Sequence, residues 1–138
     1  MSWVTFTDPE VATFGLRQEE LLKRNIPFEK LKLNFEDDDR AVVDNYRYGK
    51  LILHLSKGGL FSKQRILGGS MIAPGAGELI QELILANSFG ISIDSIFNKI
   101  YPYPVASRIN QMIIVKHKEK VLTGRLKKLL QFAYRLLN

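Results

Sequence analysis

Residues 100 to 111, IYPYPVASRINQ, set two tyrosines and two prolines in alternation directly before a helical segment. The phenols of Tyr101 and Tyr103 can donate a hydrogen bond. With an unperturbed pKa near about 10 they are neutral at pH 7 and poor at shuttling protons. Pro102 and Pro104 each fix φ, so the strap holds its two rings at a set spacing with little ordering cost. Arg108 follows, a guanidinium that donates hydrogen bonds but cannot accept a proton. On residue chemistry alone this is a proline-stiffened connector between helices.

Other candidate groups are weaker. Gly75-Ala76-Gly77 precedes a helical pattern and invites a phosphate-loop reading. The third glycine of such a loop is replaced by Ile80, however, and Glu78 would set a carboxylate where a phosphate belongs. A strand-to-helix turn with an acidic first turn is the expectation. Glu36, Asp37, Asp38 and Asp39 lack the spacing that lets oxygens converge on one calcium, and read as a solvated, helix-capping cluster. His54 lies in a strand pattern and His117 in a lysine-rich segment, each without a second ligand at metal-binding spacing. No serine sits in a nucleophile elbow. No acid, base and nucleophile set can be named, so metal is not expected and a stand-alone enzyme is disfavoured.

The elements that must carry these residues follow from periodicity. WVTFTDPEVATFG reads as an edge strand, or as two short strands broken near Asp8-Pro9. LRQEELLKRN carries its acids early and its bases late, the order that suits a helix dipole. In FEKLKLNF, Leu31, Leu33 and Phe35 alternate with Lys30, Lys32 and Asn34, a half-exposed antiparallel strand. A short helical turn or loop follows the acidic run, and KLILHLS and RILGGSMIA are two further strands. The glycines of the second permit a bulge or close backbone approach. From Ala76 the period becomes helical: Leu79, Ile80, Leu83 and Ile84 form one stripe, each worth roughly 1.5 to 3 kcal/mol on burial. Gly90 is placed to end that helix. SIDSIFNKI predicts a short helix, ASRINQMIIVKHKEK a longer one with Ile109, Met112 and Ile113 on one side, and GRLKKLLQFAYRLLN a last one. Strands without a βαβ rhythm predict an α+β fold, a mostly antiparallel sheet flanked by helices, with an extra C-terminal basic amphipathic helix.

Length and balance fit one domain with a real core. The 138 residues contain no cysteine, so disulfide, thiolate-metal and redox-thiol chemistry cannot be built from this chain. No stretch approaches the roughly 20 apolar residues of a membrane span, and the N-terminus lacks a signal-peptide pattern; a soluble, cytoplasmic protein is the default. Residues 1–115 hold 13 Lys+Arg against 13 Asp+Glu, so the whole excess of +6 lies in residues 116–138. There Lys116, Lys118, Lys120, Arg125, Lys127, Lys128 and Arg135 accompany the face of Leu126, Leu129, Leu130, Ala133 and Leu137. Such a helix packs on the body or on a second subunit, or serves as a peripheral membrane or partner-docking module on an anionic surface. Packing is the expected choice, and nucleic acid ranks below both because no aromatic stacking signature is present.

The order of three segments then resembles one known family. VTFTDPEVATFGLRQEEL is similar to the FTDPEVASVGLTEEE wording that opens the C-terminal dimerisation domain of pyridine nucleotide-disulfide oxidoreductases, among them dihydrolipoamide dehydrogenase and mercuric reductase. RILGGSMIAPGAGELIQELILA resembles the family's ILGxxIVGxxAGELIxExxxA segment. YPYPVASRIN falls where the family carries HxHPTxSE, or HPYPTLAE in the mercuric-reductase-like branch.

That resemblance implies a dimerisation (interface) domain over residues 1–115 and a basic helical extension over 116–138. It implies a homodimer, and a parent enzyme whose N-terminal FAD and NAD(P) domains are absent here. The fragment by itself would be non-catalytic and would carry no cofactor of its own. In the family the strap reaches the partner's flavin, so Tyr101, Pro102, Tyr103 and Pro104 would lie near it. The catalytic histidine of the family is replaced by Tyr103 and its orienting glutamate by Arg108; Tyr101 takes the place of the first histidine and Val105 that of the threonine. The dithiol acid/base relay is therefore not encoded. The cysteine pair with which mercuric reductase handles its metal has no counterpart in FAYRLLN.

Overall fold

The computed structural model describes residues 1–36, 38–59 and 63–137, with the side chains of 122–128, 132, 133 and 135–137 outside the description. Five strands form one antiparallel sheet in the order β1-β2-β5-β4-β3. They are β1 (Ser2–Thr5), β2 (Glu10–Gly15), β3 (Phe28–Asn34), β4 (Lys50–Ser56) and β5 (Ile66–Ala73). The first segment is thus the broken pair rather than a single edge strand. Its Asp8–Pro9 peptide is cis, within the turn that returns β2 against β1.

Period-two alternation sorts the two faces of the sheet. Ala12, Phe14, Leu33, Leu51, Leu53 and Met71 point to one side and are buried in the core, together with Phe35 beyond the end of β3. Lys30, Lys32, Ile52, Ser70 and Ile72 occupy the other side. The glycines of β5 meet the expectation of close approach. A Cβ on Gly68 would fall 2.4 Å from the Leu16 carbonyl, and one on Gly69 2.5 Å from that of Ile52. The register slips between His54 and Leu55, leaving Leu67 as the extra residue of β5; its carbonyl accepts from Leu16 N–H at 2.8 Å.

The helices are α1 (Gln18–Lys23), α2 (Asp39–Val43), α3 (Ala76–Leu79), α4 (Gln81–Ser88), α5 (Ile93–Phe97) and α6 (Ile109–Leu137). Two of them correct the sequence expectation. The single helix predicted from Ala76 is divided at Ile80, which caps α3 and opens α4. Side chains have taken carbonyls from the helical ladder there: Gln81 Nε2 donates to Gly77 O at 2.8 Å and Asn110 Nδ2 to Leu79 O at 2.7 Å. The stripe still reaches the core, with Ile80 and Leu83 buried and Leu79 and Ile84 packed against it. Conversely, the two helices predicted after the strap are one 29-residue helix, preceded by a 3-10 turn at Ala106–Arg108. Gly124 costs about 1 kcal/mol in a helix interior, too little to break a run of good helix formers on both sides.

α6 begins in the core, where Ile109, Ile113 and Ile114 are buried, and continues past residue 115 without interruption. Lys118 ties it to α5, with Nζ 2.5 Å from Asp94 Oδ1 and 4.9 Å from the Phe97 ring centre. Of the predicted apolar stripe, Leu129 and Leu130 are 64% and 61% exposed, so they do not pack on the body of this chain. Leu126, Ala133 and Leu137, and the cations Arg125, Lys127, Lys128 and Arg135, lie outside the described side chains. Among the described residues no helix is long and apolar enough to cross a membrane.

Candidate functional site

The strap runs from the end of α5 to the 3-10 turn, and its two tyrosines part company. Tyr101 is half-buried and turns inward, its hydroxyl donating to Glu82 Oε1 on α4 at 2.6 Å. The same carboxylate oxygen accepts from Asn110 Nδ2 at 2.8 Å, and Lys99 Nζ lies 2.5 Å from Glu82 Oε2. Lys99 also sits 4.2 Å from the centre of the Tyr101 ring. Glu82 is therefore a hub that joins α4, both sides of Tyr101 and the first turn of α6. Its position follows from the sequence: the division at Ile80 sets the first turn of α4 beneath the strap, and fully buried Asn110 is one residue into α6. Burial first, and the bond to Glu82 second, raise the Tyr101 phenol far above its ordinary pKa, so it stays protonated. Gln111 closes the loop by donating to the carbonyls of Phe97 at 2.8 Å and Lys99 at 2.9 Å.

Tyr103 stands at the tip and is 68% exposed. Its hydroxyl donates to Asp39 Oδ2 at 2.9 Å, and the Arg108 guanidinium lies 5.8 Å from its ring centre. The hydrogen bond to Asp39 is the main reason that this phenol too is raised above its usual range. Pro102, Pro104 and Arg108 are exposed as well, and the Tyr103–Pro104 peptide is cis. Beside the tip is a groove of about 420 Å³ lined by Arg40, Asp44, Tyr46, Pro74, Pro104 and Val105. Of the four strap residues predicted to line a flavin, three are displayed outward, while the Tyr101 hydroxyl is held by its own chain. Tyr103 and Arg108 are a donor and a cation, neither of which accepts a proton at pH 7, and the carboxylate that meets Tyr103 is Asp39 of α2.

The remaining candidates resolve into structure. Asp38 is the N-cap of α2, its Oδ2 accepting from Ala41 N–H at 2.9 Å, and Asp39 opens the helix; Asp37 lies outside the described residues. Gly75 caps α3 with φ 63°, and the Gly77 N–H that a phosphate would use donates to Glu10 Oε2 at 3.2 Å. The turn is closed to phosphate by the chain's own carboxylate. His54 is buried beside Phe28, its Nδ1 3.2 Å from Leu16 O, and burial lowers its pKa. His117 is buried between Gln64 Oε1, 2.9 Å from Nε2, and Glu29 Oε1, 3.4 Å from Nδ1. Among the described residues no group of three His, Cys, Asp or Glu could hold a metal ion.

Sequence reasoning missed Glu82, Asn110 and Lys99. A signal was present, since Glu82 lies within the AGELIQE segment and Asn110 within YPYPVASRIN, but spacing along the chain does not bring them together.

Comparison with known proteins agrees with this fold. Residues 1–113 match the model of the family described as pyridine nucleotide-disulphide oxidoreductase, dimerisation domain. The dihydrolipoyl dehydrogenase of Buchnera aphidicola from Acyrthosiphon pisum is 35% identical over 106 residues, 75% of this chain and 21% of the relative. That of Mycoplasma pneumoniae is 36% identical over 110 residues, 78% of this chain and 22% of the relative. The chain thus spans about a fifth of the length of these curated relatives. Among solved structures, LpdA from Mycobacterium tuberculosis superposes with a TM-score of 0.71 at 21% identity, over 88% of this chain and 25% of that one. The HOCl-induced flavoprotein disulfide reductase RclA from Escherichia coli gives 0.73 at 19% identity, over 82% of this chain and 25% of that one.

Proposed function

The chain belongs to the dimerisation-domain family of the pyridine nucleotide-disulphide oxidoreductases, and from that premise we propose that it pairs two subunits of a larger FAD- and NAD(P)H-dependent oxidoreductase. In that assembly the strap tip faces the partner's flavin. The observation that carries the reading is the outward display of Pro102, Tyr103 and Pro104 on a root fixed by Glu82. A rigid aromatic and proline surface suits the wall of a flat ring system, because it adds contact area without rotamer entropy to lose.

The strap sets the chemistry apart from dithiol exchange. Tyr103, once it exchanges its bond to Asp39, can donate a hydrogen bond to a reduced cofactor or acceptor, and Arg108 can hold an anionic group, but neither takes a proton at pH 7. The Pro102-Tyr103-Pro104 run is closer to the HPYPTLAE wording of mercuric-reductase-like enzymes than to HxHPT, so we place the parent near that branch, with an acceptor other than a dithiol. FAD and NAD(P) would be held by the parent's own nucleotide domains. The Gly75–Gly77 turn is occupied by Glu10 and offers no phosphate seat.

The test is light scattering of the purified chain, with a mass of twice 15.8 kDa expected. A strictly monomeric chain at high concentration overturns the pairing role. In the full-length parent, Tyr103→Ala is expected to alter the flavin absorbance and fluorescence of the dimer. An unchanged flavin spectrum removes the strap from the site.

A further inference from the structure

We propose that the cleft between the free edge of β3 and α6 is a docking site for an extended acidic peptide segment of a partner protein. β3 ends the sheet, and among the described residues no further strand pairs with it. The bond from Phe35 N–H to Gly49 O at 3.0 Å fixes which residues face β4. Antiparallel pairs alternate, so Glu29, Leu31 and Leu33 exchange main-chain bonds with Leu55, Leu53 and Leu51. The main-chain N–H and C=O groups of Lys30 and Lys32 therefore point away from the sheet, a template for one more strand.

α6 forms the facing wall of this cleft, whose volume is about 450 Å³, within the usual range for ligand sites. Leu31 and Ile113 supply apolar lining, and buried His117 closes one end beside Glu29. Lys30 and Lys32 from the strand and Lys120 from the helix lie on its lining with Lys116, and among the described lining residues Glu29 is the acid. Lys30 donates to the neutral Gln18 Oε1 at 2.6 Å, so that contact leaves its charge uncompensated.

These features select the occupant. An extended peptide offers the complementary ladder of N–H and C=O groups, places alternate side chains on the Leu31 and Ile113 side, and turns the others to the opposite face, toward Lys30 and Lys32. Carboxylates on that second set match the charge of Lys30 and Lys32, and Lys120 on α6 adds to the positive field at the mouth. A second copy of β3 is a poor occupant, because antiparallel edges would bring Lys30 and Lys32 against their own kind. A nucleic acid has no amide ladder, and a flat bilayer does not enter a cleft walled by a helix.

The experiment uses the intact chain and a fluorescein-labelled, end-blocked peptide of alternating glutamate and valine, read by anisotropy and by amide NMR. Saturable binding that weakens with salt is expected, with shifts centred on Lys30, Lys32 and Ile113. N-methylation of one peptide residue on the ladder side should weaken binding about tenfold, the worth of one hydrogen bond of about 1.4 kcal/mol. The exposed pair Lys32→Glu and Lys120→Glu should weaken it by at least about tenfold, with an unchanged circular dichroism spectrum. Binding indifferent to N-methylation, or shifts confined to other surfaces, overturns the proposal. So does displacement of the peptide by oligothymidylate or phosphatidylserine vesicles at lower concentration than by unlabelled peptide.

Discussion

Tyr101 and Tyr103 lie two residues apart on one strap, and the fold treats them as opposites. The root around Tyr101 is a closed network: one carboxylate, Glu82, meets a phenol, an amide and an ammonium group, and Lys99 covers the ring. The tip around Tyr103 is open, with one hydrogen bond to Asp39 and a guanidinium at the ring. A loop that presents a surface to another body needs both, because a rigid root keeps the tip in place while the tip carries few internal contacts of its own. Stability should therefore depend on the root, and recognition on the tip.

The largest effect that could break this contrast is Glu82→Ala. It strands the Tyr101 hydroxyl and removes one of two acceptors from buried Asn110, whose Oδ1 has no partner among the described atoms. A loss of about 3 kcal/mol is expected in urea denaturation. Next is Tyr101→Phe, which deletes a hydrogen bond to a charged group and should cost roughly 1.5 to 2 kcal/mol. A double-mutant cycle with Glu82 should return most of that figure as coupling. Additive losses would show that the root is no network.

The third prediction sharpens the contrast through pH. Unfolded, Tyr101 ionises around its ordinary value of 10.0; folded, burial and then Glu82 keep it protonated well beyond that. The raised pKa leaves stability flat below about pH 10, and stability falls as pH rises further, by up to about 1.4 kcal/mol per pH unit. Tyr101→Phe should remove that slope. A residue of it should survive from Tyr46, whose pKa burial also raises. The smallest effect is at the tip. Tyr103→Phe should leave the denaturation midpoint unchanged, and Asp39→Asn should bring the exposed phenol back toward its ordinary value in a spectrophotometric titration. A midpoint shift for Tyr103→Phe would merge tip and root.

Much of the architecture was legible along the chain. Alternation in FEKLKLNF and KLILHLS identified strands whose dry faces are the ones buried, while the proline of WVTFTDPEVATFG left an edge strand and a broken pair both open, and the fold takes the pair. Asp38 of the acidic run caps α2 as expected, though it is buried rather than solvated, and Gly75-Ala76-Gly77 was a turn into a helix. The helix boundaries were less readable. The division at Ile80 depends on Asn110, 30 positions away, taking the Leu79 carbonyl, and the continuity of α6 depends on Gly124 being tolerated. Local propensity does not contain the first fact; the second it does contain, once the glycine's cost of about 1 kcal/mol is weighed against good helix formers on both sides. At the site, the sequence marked the strap but treated its tyrosines as equivalent, because alternation with proline says nothing of which ring meets a carboxylate.

Residue order alone determined that this chain has no thiol chemistry and no acid/base pair in its strap, and that its charge excess is confined to residues 116–138. Those are properties of side-chain identity and position, which folding cannot add or remove. Only the tertiary structure decided that Glu82 gathers Tyr101, Lys99 and Asn110, that Tyr103 faces outward, and that the free edge of β3 lies opposite a lysine-bearing face of α6. The physical reason is range: hydrogen bonds and ion pairs act over a few ångströms of space, and their partners here come from segments that only packing brings that close.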